Sequence, residues 1–511
     1  MTSSLTNQVT NIELAVDVLV LGGGGTGLAA AISAADQGAK VLVAEKTNRL
    51  GGTTALSIGS ITACCTSYQR RQGIADSPEA FCEDLVKFNS ELDKYENPEL
   101  RWVLAQESGK TLEWLRGFGF EFFGPSLEPP HRVARMHNVI PNSWCYPLLL
   151  QRAAVKRGVR FLLGAAARRL LQEQGRITGA ILENSTTHSE LKVHARRAVI
   201  LACGDFSGSR VLKERYLPPA LASVSPYNPN SQGEGHMMGA AVGGRLKNME
   251  VLRKPSVRFV AAPQKLWHEL LPSHPAFVKA YAKLSDWLPS SVFKRLASRL
   301  LTTRGAPGLG IYKEGALLVN NRGVRFTDET EEAGVAISQQ PGGQAYIVFD
   351  CQVAAKFSGW PHFISTAPGI AYAYIRDYER DAPDIVSKGS SAIEAARNHP
   401  APANLLKTVE RYNRFVELGR DEDFGRSPLG AGLRKPPFYV MGPAEAYLSI
   451  TKGGLDINTR LQVLHESGDA IPGLYAGGGN AGGLLLMSHG LGISWALTSG
   501  RLAGNEAARS A

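Results

Sequence analysis

The sequence has no uninterrupted apolar run of the roughly 18 residues that a bilayer-crossing helix needs, so no transmembrane helix is expected. Cysteine is scarce, with six in 511 residues, at 64, 65, 82, 145, 203 and 351. They are too few and too irregular for a disulfide framework, which favours a reduced compartment. No CxxC pair occurs, so neither a zinc ribbon nor a c-type haem site is encoded; the spacing suits no iron–sulfur cluster, and no metal site is expected. The stretch MTSSLTNQVTNIELAVD lacks a basic n-region, and the apolar stretch after it is broken by four glycines, so no signal peptide is expected and the location reads as cytoplasmic. Acidic residues are in deficit: 46 Asp and Glu against 56 Lys and Arg leave a net charge of +10, with a pI near 9.2. Such a surplus admits nucleic acid, an anionic membrane or an anionic substrate, and its placement along the chain decides among them. Internal repeats are also missing, and 44% hydrophobic with 20% charged residues describes a globular chain of two or three folding units.

What the chain does have is glycine at the ends of apolar runs. Val16–Leu21 (VDVLVL) reads as a buried parallel strand; it runs into GGGGTG, and LAAAISAADQG follows with helix-forming composition. Gly22, Gly24 and Gly27, with Gly25 among them, fit GxGxxG. The first glycine permits the tight turn, the second lets the backbone approach a pyrophosphate, and the third lets the helix pack on the strand. The helix N-terminus then offers N–H groups and positive dipole to phosphate. A second apolar run, Lys40–Ala44, ends at Glu45, 18 residues after Gly27, where an acid can accept from an adenosine ribose and would repel a 2′-phosphate. KTNRLGGTTALSIGSI then brings Lys46, Gly51, Gly52, Thr53, Thr54 and Ser57, small and hydroxyl-bearing residues suited to more phosphate and to an isoalloxazine edge. Arg197–Ala202 ends in CGDFSG with Gly204 and Asp205, IPGLYAGGGNAGG carries Gly478 and Asn480, and Gly492 with Ile493 sits in a later turn. Several separated glycine turns at strand ends suit a long, extended ligand, as FAD is.

These motifs, together with SQGEGHMMGAAVGG, GALLVNNRGVRFTDE and ITKGGLDIN, resemble the FAD-binding fumarate reductase, succinate dehydrogenase and 3-ketosteroid dehydrogenase superfamily, from about Asp17 to Gly504. The resemblance implies an α/β fold: a Rossmann-like FAD-binding domain of the GR2 type, with a parallel sheet, at 1–252 and 434–511, and an inserted α+β capping domain at 253–433. It also implies hydride exchange between flavin and a substrate carbon, with a proton exchanged at the neighbouring carbon.

The chain departs from the family pattern at the proton carriers. Fumarate reductases have an arginine a few residues after RFxNE, where this chain, at Arg325-Phe-Thr-Asp-Glu-Thr-Glu-Glu-Ala333, has Ala333. They also have a histidine before the late glycine pair, where Ser449 and Ile450 stand here, as in the ketosteroid enzymes; a small dicarboxylate is therefore not the expected substrate. Met487 takes the place of the ketosteroid enzymes' tyrosine in the last glycine turn, with His489 two residues on. A histidine in a glycine turn beside a flavin can move a proton near neutral pH, which makes His489 a catalytic candidate. Arg135 and His137 in EPPHRVARMHNVIPNSWCYP, with Tyr146, form a second catalytic set, because the superfamily often places a substrate-facing loop here and such residues can polarise a carbonyl or bind an acid. Arg132 in the same segment reads as a solvated base, and Glu331 and Glu332 as a surface pair. No histidine lies in GGTTALSIGSI, where succinate dehydrogenase-type enzymes attach FAD, so FAD is expected to be non-covalent.

Residues 251–304 carry ten Lys and Arg against Glu269 and Asp286, or +8 of the net +10, among Trp267, Phe277, Tyr281, Trp287 and Phe293. No FAD motif needs these charges, and nucleic acid is not an expected partner. The segment can meet an anionic lipid surface, giving peripheral membrane association, or form the solvated face of a cap; Pro272, Pro275 and Pro289 favour the second by breaking it into short pieces. The expectation is an FAD-dependent oxidoreductase performing hydride and proton transfer across a C–C bond next to a carbonyl, by dehydrogenation or enone reduction. Its substrate is an apolar, lipophilic, cyclic or steroid-like small molecule, and its electron donor or acceptor is unidentified. Two alternatives stand beside it: a reductase of an unsaturated carboxylic acid held by Arg135, and a catalytically silent flavoprotein acting as a binding module.

Overall fold

Val18, Leu19, Val20 and Leu21 follow one another without alternation and are all fully buried, the pattern of a parallel strand covered on both faces. The computed structural model describes residues 13–88, 90–252, 255–260, 308–367, 371–397 and 402–510, with the single positions 277, 280 and 302. In it the strand Glu13–Leu21 lies inside an eight-stranded sheet. Val41–Glu45 and Glu190–Leu201 flank it in parallel; Arg160–Leu163 continues the sheet beyond the first and Ala470–Ala476 beyond the second, again in parallel. Gln462–Leu464 closes that edge antiparallel, and a ribbon of Ala165–Glu173 and Arg176–Asn184 joins Glu190–Leu201 antiparallel. The register sets Leu21 beside both Ala44 and Leu201, and Leu201 beside Ala476. Three glycine-rich turns therefore open together at the carboxyl ends of the strands, where open α/β sheets bind their ligands.

Small residues set the helix packing on this sheet. A Cβ at Gly27 would sit 1.9 Å from the carbonyl oxygen of Gly22, so only glycine lets helix Gly25–Asp36 lie against the strand it follows. Helix Leu491–Arg509 crosses Gly25–Asp36 just as closely: Cβ atoms at Gly500 and Gly504 would lie 2.3 and 2.2 Å from the carbonyl oxygens of Thr26 and Ala30. Spaced four apart, the two glycines share one helix face and keep both backbones in contact.

A second, six-stranded sheet centres on Phe438–Leu448, which pairs with Gln344–Phe349, Val386–Gly389, Ser256–Phe259 and Ser225–Pro226; Leu317–Asn320 lies beyond Gln344–Phe349. Helix Pro402–Leu418 covers it with Leu405, Val409, Tyr412 and Phe415, spaced along one helix face. Phe206, Leu212 and Val224 share an apolar core with Ile347 and Met441 of this sheet. Parts of the stretches at 1–252 and 434–511 thus pack with the second sheet. Among the described residues no helix is long and apolar enough to cross a membrane. Most of the basic segment 251–304 lies outside the described residues, which include its strand Ser256–Phe259.

Candidate active site

The carboxyl end of the parallel sheet opens into a cleft of about 290 Å³. Gly22, Gly24 and Gly25 of the first turn line it, followed by Glu45 and Lys46, then Gly52, Thr53, Thr54 and Ser57, then Gly204 and Asp205, and finally Gly492 and Ile493. The other expected cofactor residues stand behind the wall and hold its turns in place. Gly27 seats the first helix, and the Gly51 N–H donates to the carbonyl of Gly23 at 2.9 Å. Gly478 donates its N–H to Ser499 Oγ at 2.9 Å, and Asn480 Oδ1 accepts from the Cys203 N–H at 2.6 Å.

Each acid in the wall has a local task. Glu45 accepts the Gly23 N–H at 2.8 Å and the Thr47 N–H at 2.9 Å, which fixes its carboxylate at the end of the second strand. Burial pushes the Asp205 carboxyl above its usual range, against the pull of hydrogen bonds from Ser207 and Thr451 that tie this turn to the Ser449–Thr451 segment. Two observations bear on whether the cleft fits a dinucleotide. Among the described residues, and apart from the local backbone, no atom lies within 4 Å of a Cβ position at Gly492, and at Gly24 and Gly52 the nearest are 3.9 and 3.5 Å away, so bare backbone faces the cleft where side chains would fill it. Glu234 Oε2 in the same wall is buried with no protein donor among the described residues, while its other oxygen pairs with Lys46. A ligand hydroxyl would satisfy that acceptor, and the residues present fit FAD.

The catalytic candidates separate. His489 sits just before helix Leu491–Arg509, three residues from the cleft-lining Gly492, with 43% of its side chain exposed. Its Nδ1 lies 2.5 Å from Glu128 Oε1, and its backbone carbonyl accepts from Thr62 Oγ1 at 2.6 Å. Burial works against the Glu128 carboxylate, but its hydrogen bonds from His489 and Ser488 prevail and hold it below the usual range. Arg135, His137 and Tyr146 do not line the cleft. Arg135 is fully buried, with N–H groups on Asp76 at 2.6 and 2.8 Å and on Asp84 at 2.7 Å. His137 is buried, 3.0 Å from Thr66 Oγ1, with its pKa pushed down to about 4 by burial. Tyr146 donates its hydroxyl to the carbonyl of Gly59 at 3.1 Å from a fully buried position. Arg132 is exposed on Glu83 and Asp84, Ala333 is buried against the second sheet, and Glu331 and Glu332 are exposed. Sequence reasoning missed Glu128, His131 and Ser488; the acid and histidine stand in the same EPPHR segment, but nothing local says that it packs on the last glycine turn.

The family model described as FAD binding domain matches residues 17–253 and 278–494. The chain belongs to this family. Fumarate reductase (cytochrome) from Shewanella frigidimarina is 29% identical over 503 residues, which is 97% of this chain and 77% of that protein. The open conformation of a flavocytochrome c3 fumarate reductase aligns with a TM-score of 0.74 at 24% identity, covering 97% of this chain and 78% of that one. A 3-ketosteroid Δ1-dehydrogenase from Sterolibacterium denitrificans aligns with a TM-score of 0.65 at 20% identity, covering 98% of this chain and all of that one. The two structures speak for the shared fold, the α/β flavoprotein fold with its parallel sheet. This flavoprotein binds FAD and is a flavin-dependent oxidoreductase acting on CH–CH groups of a small molecule.

Proposed function

We propose that this flavoprotein moves hydrogen across a C–C bond beside a carbonyl of an apolar, cyclic or steroid-like substrate, with His489 carrying the proton. FAD, held non-covalently by the glycine turns, would supply hydride exchange at its N5. One observation carries the choice of substrate class. The cleft itself is the one fitted to FAD, and its one basic side chain among the described residues, Lys46, is paired with Glu234 and left to the cofactor. The part of the wall built by Ser449, Ile450, Ile493 and Ala496 offers no cation to a carboxylate.

An imidazole suits the proton half of the reaction. In enone reduction its N–H proton goes to the carbon beside the one that takes the hydride; in dehydrogenation the neutral ring takes that proton back. The exposure of His489 supports this role, since a spent ring must exchange with solvent before the next cycle. The second reading, a reductase of an unsaturated acid, draws support from the similarity to fumarate reductase. It would need a cation other than Arg135, whose guanidinium is enclosed by Asp76, Asp84 and His131. The basic segment 251–304 would be the solvated face of a cap, with contact to an anionic membrane or a redox partner as the alternative.

Anaerobic mixing of the FAD-loaded, photoreduced protein with cyclohexenone, androstenedione or fumarate, followed by flavin absorbance, separates these readings. Rapid reoxidation by the ketones and none by fumarate is expected. Reoxidation by fumarate alone would transfer the assignment to the acid reductase, and silence with every compound would favour a binding role.

A further inference from the structure

Behind His489 runs a line of hydrogen bonds that none of the FAD motifs requires. Glu128 Oε1 meets His489 Nδ1 at 2.5 Å, and Glu128 Oε2 accepts the His489 backbone N–H at 3.1 Å and the Ser488 hydroxyl at 2.8 Å. Ser488 Oγ lies 3.1 Å from His131 Nε2, and His131 Nδ1 lies 3.0 Å from a terminal guanidinium nitrogen of Arg135. Glu128, Ser488, His131 and Arg135 are all buried.

The chemistry of the groups gives this line a direction. A guanidinium can only donate, so His131 Nδ1 must accept and the His131 proton sits on Nε2. Burial first, and the Arg135 charge second, keep this ring neutral by pushing its pKa down to about 4. Its Nε2–H then donates to Ser488, whose single hydroxyl proton points on to Glu128. The Glu128 carboxylate accepts from Ser488 and from the His489 backbone N–H, which it meets with both oxygens, and its Oε1, closest of all to the ring, calls for a proton on Nδ1. Phe88 and Phe81, with ring centres 4.7 and 5.7 Å from that of His131, hold the imidazole that starts the series.

We infer that Glu128, aligned by Ser488 and His131, is a positioning residue that fixes His489 with its proton on Nδ1, so that Nε2 is the atom that exchanges the substrate proton. The inference rests on the proposed role of His489 as proton carrier. The logic is that of a carboxylate orienting a histidine, in which the far nitrogen does the chemistry and the near one never changes partner. During enone reduction the Nε2–H bond of the imidazolium breaks and a C–H bond forms; the ring is left neutral, still bound through Nδ1–H to Glu128, and regains a proton from solvent.

Histidine-selective 15N NMR of the FAD-loaded protein tests the geometry without any substrate, with His489→Ala supplying the assignment. With the pH raised until the 15N shifts stop moving, so that the neutral ring reports its tautomer, the wild-type His489 should carry its proton on Nδ1, and Glu128→Gln should move it towards Nε2. In steady state with cyclohexenone, Glu128→Gln should lower kcat about 10–100-fold with KM nearly unchanged, and Glu128→Asp should restore part of the loss. A wild-type ring protonated on Nε2 overturns the inference whatever the activity. An unchanged tautomer and kcat in Glu128→Gln overturn it too. Full turnover by His489→Ala instead overturns the catalytic role on which the inference rests, with the NMR result standing apart. Should Glu128→Gln fail to fold, the wild-type tautomer and the Ser488→Ala variant, expected to shift it in the same sense, decide the matter.

Discussion

Arg135 and Arg325 are both buried arginines clasped by two carboxylates, one below the last glycine turn and the other beside the second sheet. Arg325 bonds Glu329 and Asp421, each at 2.7 Å, and lies over the Tyr412 ring at 5.0 Å; Arg426 adds a second guanidinium 3.1 Å from Glu329 and donates to the carbonyl of Ala316 at 2.9 Å. The hydrogen bonds of both arginines in that cluster end on carboxylates or backbone carbonyls, so it closes on itself. Arg135 bonds its two aspartates equally well but turns one nitrogen to a neutral imidazole, and from there the series of bonds reaches a side chain at the surface. Each cluster must offset the desolvation of several charges. The closed one fastens loops to a sheet, and the open one lends its fixed polarity to a group with a proton to give.

Breaking the closed cluster should have the largest effect on stability and the least on chemistry. Glu329→Ala leaves Arg325 sharing Asp421 alone and strands Arg426, which should cost about 3–5 kcal/mol in urea unfolding. Turnover per FAD-bound molecule should match wild type below the transition. A loss of kcat in fully folded Glu329→Ala would mean that the second cluster also reaches the site, and the contrast would fail.

Acid should divide the two regions next. His131, His137 and His236 all lie in or against the FAD-binding side, each with its pKa pushed down to about 4, chiefly by burial. In the unfolded chain an imidazole takes its proton near pH 6.5, so between about pH 6.5 and 4 the unfolded state binds more protons and stability falls as pH falls. Asp421 in the closed cluster behaves differently: burial opposes its charge, but Arg325 outweighs that and depresses its pKa, so its contribution is lost only as pH drops below about 4. Hydrogen exchange at descending pH should therefore open Glu13–Leu21 and Met136–Val139 before Gln344–Phe349. His137→Phe should reduce the pH slope of unfolding by up to one proton over that window; an unchanged slope would mean that His137 is not held neutral.

The parallel sheet was legible because its signals are local: an unbroken apolar run, a glycine turn and a small-residue helix lie within Val16–Asp36. The second sheet was not, because Phe438–Leu448 finds Gln344–Phe349 across about a hundred residues, as the Gln344–Glu445 hydrogen bond spans 101. At the site, His489 stands out by its place in a glycine turn, whereas nothing local matches Glu128 to it across a separation of 361 positions. Arg135 has the residue type, in a non-helical segment, that suits an anion. Its anions are Asp76 and Asp84, brought round it by the fold, and no periodicity or spacing announces such an enclosure.

The smallest expected effect marks where the open cluster stops. Lys87 reaches Asp84 Oδ1 at 2.6 Å, but its side chain is nearly half exposed, so water screens the pair. Asp84 does not depend on it: burial opposes the charge of this carboxylate, while the backbone N–H of Arg132 and the side chains of Arg135 and Arg132 still hold its pKa far below the usual range once the lysine is gone. Lys87→Ala should thus cost about 0.5 kcal/mol or less in urea unfolding and leave the His489 tautomer where it was. A shift of that tautomer would show that the polarity at His489 is set from the surface inward, with Arg135 a relay for outer charges and not the fixed donor from which the bonds begin.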